Sequence, residues 1–126
     1  MSFSILIVDD SAQIRRQLRS YFQQNSNWKV CGEAVDGRDA IHKAEELNPD
    51  LIILDLSMPL MNGFEAAREL KQIRPQVPLL MFTTFKTSVL EEEAAAGGFA
   101  AVLSKSEANS LQVLAEKIHR LLPATS

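Results

Sequence analysis

Five short apolar runs punctuate the chain, and a stretch of helical periodicity follows each one. The first, "SILIV" at 4–8, is apolar at nearly every position, which marks a strand buried on both faces. Helical spacing takes over from Ala12 to Gln24, with Ile14, Leu18, Tyr21 and Phe22 on one stripe and Arg15, Arg16 and Arg19 on the polar side. "WKVCGEAV" (28–35) is a second strand, more polar and therefore an edge. The segment from Arg38 to Leu47 repeats the helical stripe with Ala40, Ile41, Ala44 and Leu47, and "LIIL" (51–54) is the third strand. A helix carrying Phe64, Ala67, Leu70 and Ile73 follows, and it ends in "RPQVP", because neither Pro75 nor Pro78 can continue it.

"LLMF" (79–82) gives a fourth strand that stops at Thr83. The helix predicted from Thr87 to Ala96 has good propensity in "EEEAAA" but few large apolar anchors. "AAVLS" (100–104) is the fifth strand. The last helix, Glu107 to Leu122, turns Leu111, Leu114, Ala115, Ile118 and Leu122 to the core and Val113 outward, where it should be exposed. Five strand–helix units of this length predict an α/β fold, a doubly wound five-stranded parallel sheet with helices on both faces.

Composition narrows the function. With 126 residues, the chain is long enough for a single core. A net charge of −3 leaves no basic footprint, so direct nucleic acid binding by this chain is not expected. No apolar run approaches the ~20 residues of a membrane helix, and "MSFSILIVDD" lacks the basic start of a signal peptide, so the expected location is cytoplasmic. Cys31 stands alone and reads as a small core residue rather than a nucleophile. His42 and His119 have no second ligand at metal spacing and read as surface residues.

The unusual polar residues fall where the strands end: Asp9 and Asp10 after the first, Asp55 after the third, Thr83 after the fourth, Lys105 after the fifth. Ligands of open parallel sheets bind beyond the carboxyl ends of the strands, so one rim should collect all five. Taken singly, Asp10 before "SAQIRR" also reads as a helix cap, and Lys105 as a solvated side chain. Taken together they form a set. Three carboxylates repel one another, and a hard divalent cation such as Mg²⁺ resolves the conflict. Lys105 adds a positive charge and Thr83 a hydroxyl. The set suits a phosphoryl group, with a carboxylate as nucleophile and an aspartyl phosphate as product.

"ILIVDDS", "LIILDLSMPLMNGFEAARELK", "VPLLMFTT" and "AVLSKS" resemble the receiver domain of two-component response regulators across essentially the whole chain. The resemblance implies the flavodoxin-like strand order 2-1-3-4-5 and a receiver domain over 1–122, with 123–126 a tail or the start of a linker. It implies that Asp55 takes a phosphoryl group from a sensor histidine kinase or a histidine phosphotransfer protein. Asp10, Asp55 and the backbone carbonyl of Ser57 would bind Mg²⁺, with Asp9 acting through water, while Thr83 and Lys105 contact the phosphoryl oxygens. The face of the fourth helix, fifth strand and last helix would carry the signal, to an output domain or to a phosphorylation-promoted homodimer through Val113. A stand-alone phosphoryl shuttle is the alternative role.

Three positions depart from the family pattern. Val102 stands where an aromatic is usual, and Ser106 follows the lysine where proline is usual. Phe85 either shields the phosphoryl entrance or packs under the fourth helix. Two rival classes fit less well. An aspartyl-nucleophile phosphatase wants a second carboxylate where Ser57 stands, and a flavodoxin wants a glycine- and hydroxyl-rich loop where the chain offers "DDSAQ".

Overall fold

The computed structural model describes residues 2–84 and 86–122. Its elements alternate strictly: β1 (Phe3–Val8), α1 (Ala12–Phe22), β2 (Trp28–Ala34), α2 (Gly37–Leu47), β3 (Leu51–Leu54), α3 (Gly63–Ile73), β4 (Leu79–Thr83), α4 (Ser88–Ala96), β5 (Ala101–Ser104) and α5 (Ser110–Leu121). The strands form one parallel sheet in the order β2-β1-β3-β4-β5, as expected, with β2 at an edge.

Side chains of a strand alternate between its faces, and the sheet uses both. Leu6, Val8, Ile52, Leu54, Leu79 and Met81 pack against α2, α3 and α4 on one face. Ile5, Ile7, Leu51, Ile53, Leu80 and Phe82 pack against α1 and α5 on the other. This double burial explains why β1, β3 and β4 are apolar apart from Ser4 near the start of β1 and Thr83 at the end of β4. The edge strand is less regular: the β1–β2 register shifts between Ile5 and Leu6, so Cys31 is the extra residue of a bulge. Its thiol donates to the Ile5 carbonyl at 3.5 Å, and burial raises its pKa. Cys31 is therefore a packing residue, as expected. His42 and His119 are both exposed, the latter tilted on the Trp28 ring at 4.6 Å.

Several boundaries differ from expectation. Thr83 belongs to β4, where it pairs with Ser104, rather than following the strand. The last helix starts at Ser110 instead of Glu107, because Asn109 adopts a left-handed φ of 60° that no helix interior accommodates. Val113, expected to be exposed, is half-buried and packs against the Leu114–Ile118 cluster. Ala101 of β5 packs against the same cluster. Ser11, and not Asp10, caps α1, with its Oγ accepting from the Ile14 amide. The α4 helix is weakly anchored as predicted: Ala94 is its one buried residue, and Val89 is 63% exposed. Phe85 and residues 123–126 lie outside the described residues, so neither reading of Phe85 is addressed. No helix among the described residues is long and apolar enough to cross a membrane.

Two glycines set the distance between helices and the loop after β3. A Cβ on Gly63, the first residue of α3, would lie 2.6 Å from the Asp55 carbonyl oxygen and 3.0 Å from the Leu56 Cα. A Cβ on Gly37 would meet the Met61 side chain and its carbonyl oxygen, at 2.6–2.7 Å. Backbone cannot yield as a flexible side chain does, so Gly63→Ala should cost about 1–3 kcal/mol by overpacking. Urea denaturation of the two proteins measures it, and equal midpoints would show that the loop gives way freely.

Candidate functional site

The ladder itself delivers the carboxylates to the rim. The Asp9 amide donates to the Ala34 carbonyl at 3.0 Å and the Asp55 amide to the Val8 carbonyl at 3.0 Å, so both continue the parallel pairing just beyond their strands. Asp9 and Asp55 are buried, at 2% and 6% exposure, while Asp10 is exposed. Carboxylate oxygens of all three lie within 4.8 Å of one another.

Lys105 closes the group from β5. Its Nζ donates to Asp9 Oδ2 at 2.6 Å and lies 3.5 Å from Asp55 Oδ2. The other Asp9 oxygen accepts from the Ser11 amide at 2.9 Å, so this carboxylate is held at both ends. Asp55 is less well compensated. Burial pushes its carboxyl above the usual range, Lys105 pulls it back, and the Asp9 charge pushes it up again. The resulting cleft has a volume of about 490 Å³ and is open to solvent between Asp10, Asp55, Ser57, Thr84 and Lys105. A larger depression of about 640 Å³ lies between α1 and α5 and meets the site only at Ile14 and Lys105, so its size says nothing about the chemistry.

The structure thus brings Asp9, Asp10, Asp55, Ser57 and Lys105 around one opening. Thr83 behaves differently. Its side chain is buried, and the exposed Thr84 is the residue that lines the cleft. Val102 is buried in the core beside α4, at 7% exposure. The Lys105–Ser106 bond is trans, as every described peptide bond is.

Two features escaped the sequence. Arg15, placed on the polar side of α1, donates from Nη1 to the Asp9 carbonyl at 2.7 Å and from Nε to Glu33 at 2.9 Å. Arg19 joins the same Glu33 at 2.7 Å. Burial alone would raise the Glu33 carboxyl, but the Arg19 and Arg15 guanidiniums outweigh it and hold it below its usual value. The second feature is a set of hydroxyl contacts among Ser104, Ser106 and Thr84 around Lys105. Helical spacing of the arginines was the one available signal; their partner lies on another element.

The raised Asp55 carboxyl has a consequence for stability. A carboxyl whose folded pKa lies above its unfolded value costs stability as pH rises through that interval, and contributes nothing below both values. Asp55→Asn carries no such cost, so in metal-free buffer it should be more stable than wild type near pH 7, by roughly 0.5–2 kcal/mol. The gap should close as pH falls through the usual carboxylate range near about 4. Thermal melts across pH check this, and a gap that widens in acid would contradict it.

Comparisons with known proteins fit this geometry. The sequence profile described as "Response regulator receiver domain" matches residues 5–118. The response regulator protein VraR of Staphylococcus aureus is 44% identical over 85 residues, which are 68% of this chain but 41% of that protein, so the match spans less than half of its length. The response regulator domain of Thermotoga maritima CheB superposes with a TM-score of 0.88 at 30% identity, covering 100% of both chains. A LuxR-family DNA-binding response regulator from Staphylococcus aureus gives a TM-score of 0.84 at 26% identity, over 94% of this chain and 98% of that one.

Proposed function

The chain belongs to the response regulator receiver domain family, and on that premise we propose that Asp55 accepts a phosphoryl group from the phosphohistidine of a sensor kinase or histidine phosphotransfer protein. The observation that carries this is the buried, under-compensated Asp55 carboxylate, 3.5 Å from the Lys105 ammonium at the mouth of an acidic cleft. One Asp55 oxygen attacks phosphorus, an O–P bond forms, and the N–P bond of the donor breaks. The electron pair stays on the departing imidazole nitrogen. A carboxyl with a raised pKa is the more nucleophilic once ionised. Lys105 faces the charge on the transferring group.

The donor set fits Mg²⁺. All candidate ligands are oxygens, three carboxylates face a single ammonium, and the exposed side at Asp10 leaves room for the waters this ion keeps. Asp10, Asp55 and the Ser57 carbonyl would hold it directly and Asp9 through water. When bound, the ion would neutralise charge on the phosphoryl oxygens. Residues 1–122 are the unit that carries this chemistry.

The phosphoryl group brings about −1.5 to −2 charges and three acceptor oxygens. Thr83, now buried, would contact one of them by an inward movement at the end of β4. The weakly anchored α4 is the element such a movement can displace. The face of α4, β5 and α5 then acts on an output domain, a separate partner or a second copy. Because Val113 is half-buried, aspartate there would disturb the core as well as this face, so sedimentation of the wild type is the better measure of self-association.

Two measurements test the site. A small phosphodonor with Mg²⁺ should add the mass of one phosphate to the wild type and none to Asp55→Asn; a modified Asn variant would remove the assignment. By calorimetry, Asp10→Ala should bind Mg²⁺ at least about 10-fold more weakly, the scale of losing one charged ligand. Unchanged affinity would exclude Asp10 as a ligand.

A further inference from the structure

Two serines flank Lys105, and both reach the same acceptor. Ser104 Oγ donates to the Thr84 carbonyl at 3.2 Å, and Ser106 Oγ donates to the same oxygen at 3.0 Å. The two hydroxyl oxygens are 2.9 Å apart, and the Ser106 amide donates to Ser104 Oγ at 3.2 Å. One residue earlier, the Lys105 amide donates to the Thr83 carbonyl at 2.7 Å. The start of the β4–α4 loop is thereby fastened to the lysine loop on both sides of Lys105.

The proton inventory shows how firm the fastening is. Each hydroxyl has one proton, so two of the three hydroxyl contacts form at a time. Either both serines donate to Thr84, or Ser104 donates to Ser106 and Ser106 to Thr84, or Ser106 donates to Ser104 and Ser104 to Thr84. All three arrangements direct a hydroxyl proton at the Thr84 carbonyl and satisfy the buried Ser104, which is 5% exposed. Meanwhile Thr83 is buried, and Thr84 rather than Thr83 lines the cleft. To reach a phosphoryl group on Asp55, the Thr83–Thr84 segment must shift, and the shift stretches these bonds.

We infer that Ser104 and Ser106 form a hydroxyl latch on the Thr84 carbonyl, holding the β4–α4 loop in its unphosphorylated arrangement. The latch rests on the reading of Asp55 as phosphoacceptor and adds a control to it. A contact made only in one state opposes any ligand that favours the other. The latch therefore weakens the site's grip on a phosphoryl group, and removing it strengthens that grip. Ser104 and Ser106 are positioning residues; neither is assigned to the metal or to the reacting atoms.

The test is calorimetric titration of the whole chain with beryllofluoride, a phosphoryl mimic, in saturating Mg²⁺. Mg²⁺ alone is titrated in parallel. Ser106→Ala should bind beryllofluoride roughly 2- to 10-fold more tightly, the range set by the net worth of one hydrogen bond. Its Mg²⁺ affinity should stay within about twofold, and its thermal midpoint should be equal or lower. Ser106→Thr, which keeps the hydroxyl, should match the wild type. General loosening of the loop would weaken beryllofluoride binding, so tighter binding by a protein that is no more stable separates the latch from a merely structural role. Unchanged or weaker binding by Ser106→Ala, or Ser106→Thr behaving as the alanine variant does, overturns the latch while leaving Asp55 in place. Absence of beryllofluoride binding by the wild type overturns the phosphoacceptor reading and the latch with it.

Discussion

The ammonium of Lys105, 2.6 Å from Asp9 and 3.5 Å from Asp55, is what allows two buried carboxylates to share the end of a sheet. Like charges in a poorly solvated place repel strongly, and an ion pair there survives only when the remaining lone pairs are also satisfied. Asp9 meets that condition through Lys105 and the Ser11 amide. Asp55 does not meet it fully, which is why its carboxyl is shifted upward by burial with Asp9 adding to the push. The surplus negative charge is the functional asset. On the proposed reading it would leave Asp55 as the reactive carboxylate and draw a hard cation into the cleft.

Holding that arrangement falls to the backbone around it. The β1–β3 pairing sets Asp9 and Asp55 side by side, and Arg15 pins the Asp9 carbonyl from α1. On the opposite side, Gly63 and Gly37 let α3 and α2 press against the loop that follows Asp55. Leu60 in this loop adopts a φ of 70° and is 75% exposed. A left-handed leucine costs about 1–2 kcal/mol, a strain that the clamped ends of the loop must absorb.

Rigidity on that side contrasts with the other. The α4 helix buries Ala94 alone, with Leu90 partly buried against the same core, so little apolar area resists its displacement. Between the rigid carboxylate cluster and this loose helix stand Thr83, Thr84 and the two serines of the lysine loop. On the proposed reading, a charge change at Asp55 would move α4 without disturbing β1 and β3, whose side chains are packed on both faces.

Runs such as "SILIV" and "LIIL" are apolar at nearly every position because their strands are covered twice, and that makes the parallel sheet legible from sequence alone. The polar residues closing each run were legible for the same reason, since a carboxylate next to such a run has no packing role to explain it. Asp9, Asp10, Asp55 and Lys105 are accordingly readable as one group from the sequence. The sequence did not reveal that Asp9 is the carboxylate Lys105 grips more closely, that Ser11 caps α1, or that Val113 is covered. Nor did it show that Ser104 and Ser106 converge on Thr84, or that Arg15 and Arg19 share Glu33. Each of these depends on the distance between elements far apart in the chain. Periodicity reports which face of an element is buried, whereas the partner a side chain meets is fixed only when the sheet order and the helix packing bring two such faces together.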